Sequence, residues 1–254
     1  MFFVLNKEKI IAYGVSVLTV IFLFCVASGM NNPKTVQTSA NNEKLLPIYN
    51  VETKENKVAL TMNCAWNADD IDKILEILKN NNVKITFFVV GEWVDKYPEA
   101  VKKMSEAGHE IASHSNTHPK VANLSYEENI KEIEESVNKI EKITGKTSNL
   151  YRPPYGEYNN TVIRSAEDKG YKSIQWNLDT LDYTGLNGEE MWKRIEKVKQ
   201  GDIILCHNGT KHTADSLDML IKNIKNKQLE IVKVSELIYK DNYKINVNGT
   251  QIKK

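Results

Sequence analysis

The chain has 254 residues, room for one mid-sized domain with short appendages. Its 34 Lys and Arg nearly balance 33 Asp and Glu, and a formal charge of +1 is too small to argue for nucleic acid or an anionic membrane surface as a partner; no nucleic acid is expected. Three cysteines, Cys25, Cys64 and Cys206, make no disulfide framework, so the domain must be held by its core.

Residues 10–30 read IIAYGVSVLTVIFLFCVASGM, without a charge. About 20 apolar residues suffice for a transmembrane helix. Lys7 and Lys9 precede the run, which puts residues 1–9 in the cytoplasm and the rest outside. A cleaved signal peptide ending near Ala27-Ser28-Gly29 is the rival reading, but the run exceeds the about 7–15 residues of a signal's apolar region. Residues 31–56 are polar and read as a linker.

From Lys57 strands and helices alternate. The spacing predicts a strand at 58–62, an amphipathic helix at 69–80 and a buried strand at 85–90. A helix follows at 98–107, opened by Pro98 and closed by Gly108, then a short strand at 110–112 leading into His114. Ser125 and Glu128 form a capping box for a helix that runs to Thr144 and stops at Gly145. Helices at 161–169, 189–199 and 213–225 alternate with strands at 171–176, 202–206 and 229–234. Such alternation implies crossover connections and a mainly parallel sheet: an α/β fold, here a small or incomplete barrel over residues 57–240. Residues 241–254 read as a polar tail.

In such a barrel chemistry sits at the C-terminal ends of the strands. That rule groups Asn63, Cys64, His114, His118, Arg152, Asp179, Asp182 and His207. His114 and His118, four apart, suit two ligands of one metal, or are a surface pair at a helix start. Arg152-Pro153-Pro154-Tyr155-Gly156 is a rigid turn that fixes an arginine and backbone N–H groups as an oxyanion site requires, or is a plain turn. Asp179 and Asp182 orient a histidine or cap a turn. His207 suits a general acid for a departing amine, or a hydrogen-bonded core histidine. Trp66, Trp93, Tyr155 and Tyr183 suit sugar stacking or core packing.

Together ITFFVVG, GHEIASHSNTH, RPPYG, WNLDTLDY and GDIILCHN resemble the signatures of the polysaccharide deacetylase family, in the expected order from Lys57 to Ile238. The resemblance implies a distorted (β/α) barrel that removes acetyl groups from N-acetylated sugars in peptidoglycan, chitin or related polymers. It implies that His114 and His118 hold a divalent metal, usually zinc, that Asp182 tunes His207 as general acid, and that Arg152 fixes the catalytic base. The Tyr155 N–H would stabilise the oxyanion, Leu205 would line the acetyl pocket, and Tyr183 would meet the sugar. The single anchor and lone domain resemble the sporulation-associated, membrane-anchored branch, with the catalytic domain outside the membrane.

The chain departs from the family at the first motif, where Thr61-Met62-Asn63-Cys64 replaces Thr-Phe-Asp-Asp. Asn63 stands at the position of the base, and an amide takes no proton from water. Cys64 stands at a metal-ligand position, and Cys/His/His plus water is a catalytic zinc set. One expectation is therefore a slow metallo-deacetylase whose water is helped by Asp69, Asp70 or Asp182. The other is a degenerate domain that binds glycan without turnover. A Cys64–Cys206 disulfide is a third possibility, opposed by strand alternation if His207 points inward.

Overall fold

The computed structural model describes residues 44–254. The apolar run at 10–30 and residues 31–43 of the expected linker lie outside the described residues. Among the described residues no helix is long and apolar enough to cross a membrane.

The main sheet is wholly parallel. It comprises β2 (Lys57–Cys64), β3 (Thr86–Val89), β4 (Glu110–Ser113), β5 (Leu150–Tyr151), β6 (Lys172–Ser173), β7 (Leu178–Asp179), β8 (Ile203–His207) and β9 (Glu230–Val232). Their order is β6-β5-β4-β3-β2-β8-β7, with β9 beside the first half of β2. The path ends on β6 and β7, so the barrel stays open, as the alternation implied. The crossovers carry α1 (Ile71–Asn80), α2 (Gly91–Lys96), α3 (Pro98–Glu106), α4 (Tyr126–Thr144), α5 (Asn160–Glu167), α6 (Gly188–Ile195), α7 (Thr213–Asn226) and α8 (Val234–Leu237).

Side-chain alternation along β2 divides the layers. Val58, Leu60, Met62 and Cys64 enter the apolar layer beneath α1 and α7, against Ile74, Leu78, Leu220 and Ile224. Thr61 and Asn63 face the other way, toward Arg152. Burial of each large aliphatic side chain in that layer contributes about 1.5–3 kcal/mol. α4 is bounded as the sequence requires. Ser125 and Glu128 make the reciprocal cap, and Gly145 closes the helix at φ 65°.

Two expected boundaries are corrected. Residues 44–56 are not all linker. Ile48 and Val51 are buried, and β1 (Asn50–Val51) pairs with β11 (Thr250–Lys253). Ile48 also bridges Ile174, and the Val51 N–H donates to the Gly201 carbonyl at 2.8 Å, so this segment covers the sheet's open side. A side chain at Gly201 would overlap the Val51 carbonyl, and its φ is 85°. Residues 241–254 are not a free tail either. β10 (Tyr243–Ile245) and β11 form a hairpin, and the buried Gln251 amide both donates to and accepts from the Tyr239 backbone. A few apolar residues in polar surroundings carry too little periodicity to announce such pairings.

His109 lies buried just before β4, its Nδ1 accepting from the Ile85 N–H at 3.2 Å. Burial, and then the charges of Lys84 and Lys233, hold its pKa down to about 4. The unfolded value is about 6.5. The folded state therefore prefers neutral His109; its contribution is full above about pH 6.5 and is lost as the pH falls through about 4. His109→Asn keeps an acceptor without the titration. Between pH 7 and pH 4 the parent should lose about 3 kcal/mol more unfolding free energy than the variant. Equal losses in urea titrations would refute the assignment.

Candidate active site

A cavity of about 620 Å³ opens at the C-terminal ends of the strands and is lined by Asn63, His114, His118, Tyr155, Tyr183, Leu205 and His207, among others. The strand-end rule thus brings most of the expected residues to one place. Arg152 and Asp182, both fully buried, stand behind this wall.

His114 and His118 do not share a helical turn. They flank a loop in which Ser115 (φ 65°) and His118 (φ 58°) are left-handed, and this brings their rings to 4.9 Å between centroids. His114 Nδ1 lies 2.8 Å from the Arg152 carbonyl, which only accepts, so Nδ1 carries the proton and Nε2 keeps its lone pair. Burial, and then the neighbouring His118, hold the His114 imidazole well below its usual pKa. Burial also lowers His118. Both rings are neutral at pH 7, as metal ligands must be.

The loop lies against the start of α2, where the Gly91 and Glu92 N–H groups donate to the Ser115 and Asn116 carbonyls, each at 2.9 Å. A Cβ at Gly91 would overlap the Asn116 side chain and stand 3.0 Å from its Cα. Gly91→Ala should cost about 1–3 kcal/mol and displace the histidine loop. An unchanged melting temperature would refute this.

Arg152 donates from one terminal nitrogen to Thr61 Oγ1 and Asn63 Oδ1, each at 2.9 Å, and from the other to the Gln175 carbonyl at 3.2 Å. Its guanidinium lies 3.9 Å from the Phe88 ring centroid. Among the described residues no carboxylate lies within ion-pair distance of it. Burial holds its pKa down to about 9.

At the end of β8, His207 Nδ1 meets Asp182 Oδ1 at 2.8 Å. Asp182 also accepts from the His207 N–H at 2.6 Å, the Thr213 hydroxyl at 2.6 Å and the Tyr183 N–H at 3.0 Å. His207 sits between Trp66 and Tyr183, each 5.3 Å away, ring to ring. Trp66, Tyr155 and Tyr183 are about half exposed at the rim, whereas Trp93 is buried and donates to the Asn67 carbonyl. Tyr155 is left-handed at φ 58°, the conformation that turns its backbone at the wall.

Three expectations fail on position. Cys64 does not join the histidines: its neighbour Asn63 faces the cavity, so alternation sends Cys64 into the apolar layer. Burial, and then the Asp70 charge, push its thiol pKa up, away from the thiolate a metal needs. Cys206 lies in the same layer, and both are free thiols. Asp69 and Asp70 do not line the cavity; Asp70 accepts from the Gly209 N–H at 2.8 Å and holds the loop after His207. The cavity's carboxylates are Glu92 and Asp179 instead. Among the described residues no three His, Cys, Asp or Glu come together to hold a metal. A catalytic zinc takes three protein ligands, and the described residues bring together two, so they do not complete that set.

A family model described as polysaccharide deacetylase matches residues 50–174. The chain is 33% identical over 206 residues to an uncharacterised protein of Bacillus subtilis, covering 80% of this chain and 64% of that one. It is 30% identical over 203 residues to a peptidoglycan-N-acetylmuramic acid deacetylase of the same organism, covering 78% and 77%. Among solved structures, a CE4-family pseudoenzyme from Bacillus anthracis aligns with a TM-score of 0.72 at 32% identity, over 75% of this chain and 68% of that one. A mutant of that pseudoenzyme, with restored enzymatic activity, aligns equally well.

Proposed function

We propose that this chain, which belongs to the polysaccharide deacetylase family, removes N-acetyl groups from cell-wall glycan of the peptidoglycan kind. One observation carries the reading: His207, backed by the buried Asp182, lines the same cavity as His114 and His118, and that cavity is large enough for a sugar. Asp182 holds the Nδ1 proton of His207, which leaves Nε2 to serve the departing amine. The Tyr155 N–H is the donor for the oxyanion, and Leu205 bounds the acetyl group. Tyr183 and Trp66 offer faces to the sugar.

Members of this family are generally metal-dependent. The metal expected here, zinc, supplies Lewis-acid and water-activating chemistry when bound. Among the described residues its third donor is missing. Asn63 is no base, so water activation is the weak step and turnover is slow.

A second reading, a glycan-binding domain without turnover, is favoured by the Asn63 amide bound to an unpaired Arg152 and by the similarity to a pseudoenzyme. The proposal includes tethering through residues 10–30 with the domain outside the membrane; a place in the spore envelope is its narrowest form. Both rest on the sequence.

The test is acetate release by the full-length chain from N-acetylglucosamine oligomers and peptidoglycan fragments, with zinc or cobalt added. Release that His114→Ala abolishes supports the deacetylase. Oligomer binding without release supports the second reading.

A further inference from the structure

The histidine loop has a second support that no sequence signature announces. Glu132, in the second turn of α4, reaches across to it. Its Oε2 accepts from the Asn116 N–H and the Thr117 N–H, each at 2.8 Å, and its Oε1 accepts from the Thr117 hydroxyl at 2.9 Å. One turn on, Glu135 Oε2 accepts from the Asn116 side-chain amide at 2.8 Å. From the opposite side α2 donates to the carbonyls of residues 115 and 116. The loop is thus clamped through its carbonyls by one helix and through its N–H groups by another.

The clamp matters because the loop is held in a costly conformation. Ser115 and His118 are both left-handed, a region that charges a non-glycine residue about 1–2 kcal/mol. Such geometry persists only where the surroundings over-determine it. Internal bonds contribute one part: the Ser115 hydroxyl accepts from the His118 N–H at 3.0 Å. Glu132 contributes charge-assisted bonds to the two residues between the left-handed positions, and these are about twice as strong as neutral ones. The His118 ring direction depends on that backbone: it packs 4.9 Å from His114 and 4.5 Å from Tyr155, each nearly edge-on.

We propose that Glu132 is a positioning residue for the histidine pair: by fixing the Asn116 and Thr117 N–H groups it sets the turn that aims His118 at His114. The proposal rests on the reading of these histidines as site residues, but its test needs no turnover.

The experiment is NMR on the full-length chain with isotope-labelled histidine and backbone nitrogen, comparing the parent with Glu132→Ala and Glu132→Gln. In Glu132→Ala the Asn116 and Thr117 amides should exchange with solvent roughly 10- to 100-fold faster. The His118 ring resonances should move, because the ring leaves the fields of His114 and Tyr155, while those of His207 and His109 stay. Glu132→Gln should restore the His118 resonances: its carbonyl still accepts both N–H groups, and the Thr117 hydroxyl turns to accept from the new amide. If Glu132→Ala does not fold, Glu132→Asp, one methylene shorter, reads the same displacement. His118 resonances unchanged in the folded variant would overturn the proposal. So would a general loss of amide protection without a shift at His118, which marks a merely structural glutamate. Neither result bears on whether the chain releases acetate.

Discussion

In the Asn63→Asp variant the melting temperature should rise by several degrees, and acetate release should increase by about 10²–10⁴-fold. Both effects come from one contact. Arg152 is fully buried and its Nε has no partner, while Asn63 Oδ1 already sits 2.9 Å from a terminal nitrogen. The chain therefore carries a buried cation solvated by one hydroxyl, one amide oxygen and one backbone carbonyl. Exchanging the amide for a carboxylate leaves the shape alone and turns a neutral hydrogen bond into a charge-assisted one. Such bonds contribute about 1.5–3 kcal/mol, and desolvating the new carboxylate takes back part, for a net gain of about 1–2 kcal/mol. A domain of this size gains about 2–4 °C per kcal/mol. A carboxylate paired with a guanidinium titrates below its usual value of about 3.9, so the gain is present at pH 7 and disappears in acid. The same carboxylate supplies the missing proton acceptor. Calorimetry and acetate release on the same preparations separate the two claims. A higher melting temperature with no acetate would put the fault in the missing third metal donor. No change in either would mean that Asp179, whose charge already favours the Arg152 cation, balances it.

How much of this the sequence disclosed depended on the range of the forces involved. The α4 capping box, the Gly145 stop and the apolar face of α1 are written within a few residues, and they were legible. The site residues were legible through a rule about strand ends, which needs only the order of elements. Cys64 falls outside the cavity although its strand-end place and its motif position both point there: β2 continues through Cys64, so only Asn63 reaches the cavity. The His114 and His118 rings do lie side by side, but not for the reason their spacing offers. Helical spacing suggested it, but left-handed turns at Ser115 and His118 produce it. Glu132 lay beyond reach, because on a glutamate-rich helix nothing local separates the residue that reaches a distant loop from those that face water. The pairing of β1 with β11 spans nearly the whole domain and leaves no periodicity to read.

Asp182→Asn should lower both stability and rate, and the rate loss should be the larger. Each carboxylate oxygen of Asp182 takes two donors: Oδ1 serves the Tyr183 N–H and His207 Nδ1, and Oδ2 serves the His207 N–H and the Thr213 hydroxyl. An amide has one such oxygen. Whichever way it turns, its NH₂ group faces a part-buried backbone N–H, donor against donor. An orphaned buried donor costs about 1–3 kcal/mol. If the NH₂ group faces the ring instead of the oxygen, Nδ1 must become the acceptor, and the ring can no longer hold its Nδ1 proton while Nε2 exchanges one with substrate. Comparable Asp→Asn changes beside a catalytic histidine cost about 10⁴ in rate. Acetate release is best read in the Asn63→Asp background, where the signal is expected to be large. Thr213→Val is the control: it removes one hydrogen bond to the same carboxylate and the one that Thr213 accepts from the Thr210 hydroxyl, should cost about 1–3 kcal/mol in urea unfolding, and leaves the His207 tautomer alone. If Asp182→Asn and Thr213→Val slow the reaction equally, Asp182 is a structural anchor and His207 does not depend on it for proton transfer. If Asp182→Asn alone collapses the rate, the His207–Asp182 pair is the proton-handling element of the site.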